Sequence, residues 1–86
     1  MVSDTVMIQN PTGLHARPAA KLVELAKQYT SAIAIEAGER KCDAKSIFSL
    51  LRCCFKMGEE VTVCADGTDE AAALKDITEC IRTLVE

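Results

Sequence analysis

The sequence is poor in aromatic residues and in long apolar runs. Aromatic residues make up 3% of its 86 residues, with no tryptophan. A core must therefore be built mainly from aliphatic side chains and cysteine, which suits one small domain. No run approaches the ~18 apolar residues of a membrane span, and the N-terminus lacks the basic and apolar segments of a secretory signal. We expect a cytoplasmic protein, formed by residues 1–86 as a single domain, without membrane contact.

The sequence also lacks a basic excess and a regular cysteine spacing. Ten basic and thirteen acidic residues give a net charge of −3, which argues against nucleic-acid binding. Five cysteines without a C-x-x-C pair argue against a disulfide framework, and with one histidine they predict no metal site. We interpret most cysteines as small apolar core residues. A cysteine-based redox or metal module is kept as an alternative of a different functional class.

The spacing of apolar side chains predicts the fold. Alternation predicts strands, and a spacing of three or four residues predicts helices. The predicted strands are Thr5–Ile8, Ala32–Glu36, Arg40–Asp43 and Val61–Ala65. The predicted helices run from about Ala16 to Gln28, from Ser46 to about Cys53 and from Glu70 to about Leu84, the last with an apolar stripe of Leu74, Ile77, Ile81 and Leu84. This β-α-β-β-α-β-α order predicts an α+β sandwich, with a four-stranded antiparallel sheet covered on one face by three helices.

The only histidine lies where a turn gives way to a helix. Residues 10–13, Asn-Pro-Thr-Gly, are typical of a turn, so His15 is expected at or next to the helix N-cap. The backbone N–H groups of Ala16 and Arg17 should lack intrahelical acceptors there, and such a helix start attracts anions. The Arg17 guanidinium matches phosphate geometry. The pattern predicts an imidazole that accepts a phosphoryl group; a histidine that only caps the helix is the alternative.

These residues resemble a known family. The segment Gly13-Leu14-His15-Ala16-Arg17-Pro18-Ala19 is similar to the active-site motif of HPr, the histidine-containing phosphocarrier protein of the bacterial sugar phosphotransferase system. Residues 45–48, 57–63 and 66–70 also match, so the resemblance covers the whole chain. It implies an open-faced β-sandwich and a phosphoryl carrier rather than a turnover enzyme, with the group on Nδ1 of His15 and no cofactor. It also implies transfer from enzyme I, which draws on phosphoenolpyruvate, to the IIA domain of a sugar permease.

Lys45-Ser46-Ile47-Phe48 resembles the regulatory-serine segment of the family. The match implies phosphorylation of Ser46 by HPr kinase/phosphorylase and, in that form, a corepressor role with the catabolite regulator CcpA. Ser46 is also a good N-cap residue in its own right, and both roles are compatible. A regulatory paralogue modified on Ser46 and a nitrogen-branch carrier are the alternatives within the family.

A docking surface for partner proteins is predicted on the short helix near His15. Three apolar residues are expected to leave a patch exposed, with Leu50 as the inward-facing residue. The predicted surface comprises Ala20, Lys21, Lys45, Ile47, Phe48 and Leu51, flanked by Arg17 and Arg52. Basic groups around an apolar patch suit acidic partners that associate quickly and weakly. The alternative places Ile47 and Phe48 in the core, and the expected oligomeric state is a monomer.

Cys54 departs from the family pattern. Members of the family usually have glycine there, where it closes the short helix in a left-handed conformation. A cysteine that keeps this conformation would cost about 1 kcal/mol, and otherwise the helix must end differently. The vicinal thiols Cys53 and Cys54 belong to the redox alternative.

Overall fold

Across the residues that it describes, 1–11, 13, 16–53 and 55–83, the computed structural model contains four strands and three helices. The strands are β1 (Val2–Met7), β2 (Ala32–Ala37), β3 (Arg40–Asp43) and β4 (Glu60–Asp66). The helices are α1 (Ala16–Ala26), α2 (Ile47–Cys53) and α3 (Glu70–Thr83). The order along the chain is β1-α1-β2-β3-α2-β4-α3, which confirms the predicted element order and the α+β class.

The sheet has the strand order β1-β4-β2-β3, and each neighbouring pair is antiparallel. Its inward face is made by alternate apolar residues that are buried together: Val6, Ile33, Ile35, Cys42, Val61, Val63 and Ala65. On the opposite face Met7 is 46% exposed, and Thr62 and Cys64 are half-buried. The predicted division into one covered and one open face is therefore confirmed.

The helices supply the other half of the core, each through one apolar stripe. Their buried residues are Pro18, Ala19, Leu22, Val23 and Ala26 on α1, Leu50 on α2, and Ala73, Ile77, Thr78 and Ile81 on α3. Leu74, expected in the α3 stripe, is only half-buried, and Leu84 lies outside the described residues. No helix in the described ranges is both long enough and apolar enough to cross a membrane.

Two predicted boundaries differ from the structure by two residues or more. Strand β1 begins at Val2 rather than Thr5, because its pairing with β4 runs from Val2 opposite Ala65 to Met7 opposite Glu60. Backbone pairing overrides the weak side-chain pattern of that segment. Helix α1 ends at Ala26 rather than Gln28. The Gln28 N–H donates to the Leu25 carbonyl oxygen, and the Tyr29 N–H donates to the Ala26 carbonyl oxygen. Hydrogen bonds of this three-residue spacing tighten the turn that follows the helix.

Asp69, directly before α3, holds the turn that leads into β2. Its carboxylate accepts hydrogen bonds from the Thr30 N–H at 2.9 Å and the Ser31 N–H at 3.0 Å, and another from the Ser31 hydroxyl. These bonds, the Ser31 hydroxyl foremost, lower the pKa of Asp69 to about 2. The carboxylate thus joins the N-terminus of α3 to the segment after α1.

We expect Asp69→Asn to lower the melting temperature at neutral pH, because an amide cannot accept from all of these donors. Since the pKa of Asp69 is lower in the folded than in the unfolded chain, its stabilisation is complete above about pH 4 and declines toward pH 2. Between about pH 4 and pH 2, the melting temperature should therefore fall less steeply in Asp69→Asn than in the unsubstituted protein. Thermal unfolding followed by circular dichroism from pH 2 to 7 measures both effects.

Glu39→Gln is the matched control, because it removes one exposed carboxylate from the β2–β3 turn. Equal acid profiles for Asp69→Asn and the unsubstituted protein would contradict the assigned role of Asp69.

Candidate functional site

The turn before α1 is closed by Asn10 and Gly13. The Asn10 side-chain Nδ2 donates to the Gly13 carbonyl oxygen at 2.6 Å, and the Gly13 N–H donates to the Asn10 carbonyl oxygen at 3.1 Å. Asn10 is buried, so its amide serves the loop rather than solvent. These bonds between Asn10 and Gly13 confirm the predicted turn.

Gly13 packs directly against the segment that leads into β4. Its φ is +67°, and a Cβ there would overlap the Phe55 carbonyl oxygen and lie 2.9 Å from Lys56 Cα. Glycine is required for two reasons, the left-handed backbone and the close backbone contact. Sequence reasoning missed Phe55, which is buried, because no local pattern marks a contact so distant along the chain.

Ile8 ties the same segment to the end of β1. Its N–H donates to the Glu59 carbonyl oxygen at 2.9 Å, and the Gly58 N–H donates to the Ile8 carbonyl oxygen at 2.8 Å. We call residues 55–59 the floor segment. Two backbone hydrogen bonds thus hold Ile8 on the floor segment, and Gly13 lies in close contact with it.

Helix α1 begins at Ala16, the residue after the predicted phosphoryl acceptor. Thr12, Leu14 and His15 lie outside the described residues, so the assignment to His15 stays a prediction. Arg17 is exposed in the first turn, and that turn contains no acidic residue that would offset the positive end of the helix dipole. The first amides of a helix have no intrahelical acceptor, so this end of α1 is suited to bind an anion.

Ser46 is the N-cap of α2. Its hydroxyl accepts a hydrogen bond from the Ser49 N–H at 3.3 Å, and its carbonyl oxygen accepts one from the Leu50 N–H at 3.1 Å. This geometry confirms the interpretation of Ser46 as a cap. The residue is half-buried, and its role as a modification site stays a prediction.

The outer side of α2 carries the predicted apolar patch. Phe48 is 76% exposed, Ile47 and Leu51 are half-buried, and Leu50 is buried. The alternative that placed Phe48 in the core is therefore wrong, and the inward orientation of Leu50 is confirmed. On the neighbouring α1, Lys21 is exposed and Ala20 is half-buried; the binding of a partner by these residues stays a prediction.

Lys45 lies at the opposite end of α1 from Arg17. The Lys45 ammonium donates to the Tyr29 carbonyl oxygen at 2.7 Å, and Tyr29 follows the C-terminus of α1. The helix has 11 residues, which corresponds to roughly 16 Å at ~1.5 Å per residue. The basic residues are therefore spread along the length of α1 rather than gathered at its start.

The described cysteines are free thiols; Cys42, Cys53 and Cys80 pack in or against the core, and Cys64 lies half-buried on the open face of the sheet. Burial, with a smaller effect of the Cys53 thiol, raises the pKa of Cys42 to about 12, and burial also raises the pKa of Cys64 and of Cys80. Such thiols contain little thiolate and react slowly. Within the described residues, no three His, Cys, Asp or Glu side chains could hold a metal ion together. Cys54, with its predicted conformation, lies outside those residues.

The chain is similar to known proteins over its full length. The family model described as "PTS HPr component phosphorylation site" matches residues 2–83. The Phosphocarrier protein HPr of Borreliella burgdorferi is 36% identical over 86 residues, which are 100% of both chains. The crystal structure of HPr-C-His from Thermoanaerobacter tengcongensis has a TM-score of 0.92 and 38% identity, covering 96% of this chain and 93% of that chain.

One similar structure bears on the oligomeric state. A crystal structure of Crh, a catabolite repression protein of Bacillus subtilis, is described as an intertwined dimer with a swapped domain. It has a TM-score of 0.79 and 38% identity, covering 100% of this chain and 99% of that chain. The expected monomer therefore stays a prediction for this chain.

We expect Gly13→Ala to destabilise the fold more than Gly38→Ala. Both glycines have positive φ, +67° and +61°, but a Cβ at Gly38 would meet nothing within 4 Å. The shared backbone strain costs about 1–2 kcal/mol, and the overlap at Gly13 should add about 1–3 kcal/mol. Urea unfolding measures the difference, and equal losses of unfolding free energy would contradict the close Gly13–Phe55 contact.

Proposed function

The chain belongs to the HPr family of phosphocarrier proteins, and from this membership we propose its specific function. It accepts a phosphoryl group on His15 from phosphorylated enzyme I and passes that group to the IIA domain of a sugar permease. Residues 1–86 act as a single HPr domain in this proposal. The observation that carries it is the motif at residues 13–19: Gly13 has a left-handed backbone in close contact with Phe55, and α1 begins at Ala16.

The chemistry needs a nucleophile and a place for the phosphoryl oxygens. A neutral ring nitrogen of His15 attacks phosphorus, and the new N–P bond forms as the bond between phosphorus and enzyme I breaks. The amides of Ala16 and Arg17 and the Arg17 guanidinium balance the charge of the transferred group, since this reaction depends mainly on positioning and electrostatics. An exposed helix end contributes roughly 1 kcal/mol, which is small enough for the group to be released again to IIA.

The exposed patch of α2 is proposed as the docking surface for these partners. Phe48 and the half-buried Ile47 and Leu51 supply apolar contact. The exposed Arg52 on the same helix and the exposed Lys21 on α1 supply positive charge, although the chain as a whole carries −3. A local positive field favours acidic partners and fast, salt-sensitive association, as a relay between two proteins requires.

Ser46 is proposed as a regulatory phosphorylation site for HPr kinase/phosphorylase. A phosphate there would add about two negative charges at the N-terminus of α2 without removing the cap, beside the exposed Asp43. That charge should repel an acidic partner and attract a basic one such as CcpA.

The similarity to Crh supports a purely regulatory paralogue as the second candidate, but the His15 motif favours the carrier. A nitrogen-branch carrier would use the same chemistry. The proposed setting is the cytoplasm and the proposed state a monomer.

Incubation with enzyme I and phosphoenolpyruvate should add about 80 Da, the mass of one phosphoryl group, in an acid-labile form. The addition should be lost in His15→Ala and kept in Ser46→Ala, because only His15 accepts the group in this proposal. Intact-protein mass spectrometry before and after acid treatment makes the measurement. Labelling that survives His15→Ala, or no labelling of the unsubstituted protein, would refute the proposed carrier role.

Ser46→Asp should lower enzyme I-dependent phosphorylation by about ten-fold in kcat/KM, because it adds a negative charge near the docking surface. Ser46→Asn is the matched control, since asparagine and aspartate are comparable N-caps and only one is charged. The control should stay within about two-fold of the unsubstituted protein. Rates that are equal in the two variants would show that charge at this position does not regulate transfer.

A further inference from the structure

Arg40, the first residue of β3, makes three contacts around the floor segment. Its Nη1 donates to the Cys53 carbonyl oxygen at 2.9 Å, and its Nη2 lies 2.5 Å from the Glu59 carboxylate. Its guanidinium carbon lies 5.1 Å from the centroid of the Phe55 ring, within the range of a cation–π contact. One side chain therefore reaches the last residue of α2 and both ends of the floor segment.

The floor segment contacts both Ile8 and Gly13. Gly13 lies against Phe55 and Lys56, and Ile8 exchanges two backbone hydrogen bonds with Gly58 and Glu59. Every one of these contacts uses floor backbone, so the position of Gly13 depends on how firmly that backbone is held. Phe55 is held from inside by burial, and the guanidinium lies over its ring from outside.

We propose that Arg40 is a positioning residue for phosphoryl transfer, an inference that rests on the proposed carrier function. Arg40 does not touch the reacting atoms. It fixes the distance between the end of α2 and Glu59, and through the floor segment it fixes Gly13, two residues before His15. Phosphoryl transfer slows when the acceptor imidazole is displaced, even if its chemical reactivity is unchanged.

The guanidinium is suited to this role in a way that an ammonium is not. Arg40 is 41% exposed and Glu59 29% exposed, so the ion pair by itself adds little stability. The planar group donates in two directions at once while it lies over an aromatic ring. A lysine could keep the charge at Glu59 but could not hold the Cys53 carbonyl and the Phe55 ring at the same time. Geometry rather than charge is the proposed contribution.

The test compares Arg40→Lys and Arg40→Met with Lys41→Met. Lys41 is the next residue on the same strand, is exposed, and its side chain points to the other face of the sheet. We expect both Arg40 variants to lower kcat for phosphorylation by enzyme I about three- to ten-fold with KM within about two-fold. The Gly13 backbone amide resonance should shift in both variants, and Lys41→Met should change neither quantity.

Glu59→Gln is the milder variant if Arg40→Met does not fold. It removes the charge pair and leaves the Cys53 and Phe55 contacts in place, so a smaller Gly13 shift is expected. Full rescue of kcat by lysine would overturn the proposal, because charge alone would then suffice. An unmoved Gly13 resonance in every folded Arg40 variant would overturn it as well.

The two proposals fail in different ways. If enzyme I does not label the unsubstituted protein, the carrier function is refuted, and the inference about phosphoryl transfer falls with it. If that protein is labelled normally and the Arg40 variants match it in kcat and in the Gly13 resonance, only the role of Arg40 is refuted.

Discussion

The packing of Gly13 against the floor segment is the constraint on which the site depends. A left-handed residue without a side chain lets two backbones meet, and Asn10 closes the turn at Gly13. The contact joins backbone to backbone rather than mobile side chains. In the proposed function, the acceptor two residues further along benefits from such a fixed neighbour.

The site end of the molecule differs from the rest in its electrostatics. The chain is acidic overall, whereas the start of α1 lacks acidic residues and carries Arg17. In the proposed function, this helix end would bind the phosphoryl group locally and weakly, as suits a group that is passed on rather than stored. Beyond the start of α1, the exposed Phe48 on α2 and the basic residues dispersed along α1 and α2 form the rest of the proposed docking surface.

The core positions the site without taking part in its chemistry. Sheet and helices meet through aliphatic residues such as Ile35 and Leu22. Cys42 and Cys80 pack among or against them, and the raised pKa values of these two thiols argue against a redox role for them. Asp69 and Arg40 connect elements that are distant along the chain. Asp69 holds the turn after α1, and Arg40 holds the segment after α2. Both act through several hydrogen-bond acceptors or donors on one side chain.

The element order, the inward face of each strand and the cap at Ser46 could be predicted from the amino-acid pattern, because they follow from side-chain periodicity and local hydrogen bonding. The motif at residues 13–19 was visible in that pattern as well. The contact of Gly13 with Phe55, and those of Arg40 with Cys53 and Glu59, could be found only in the folded molecule. The start of β1 at Val2 also became visible only there. Such contacts join residues far apart along the chain, and they depend on the strand order β1-β4-β2-β3, which local periodicity does not encode.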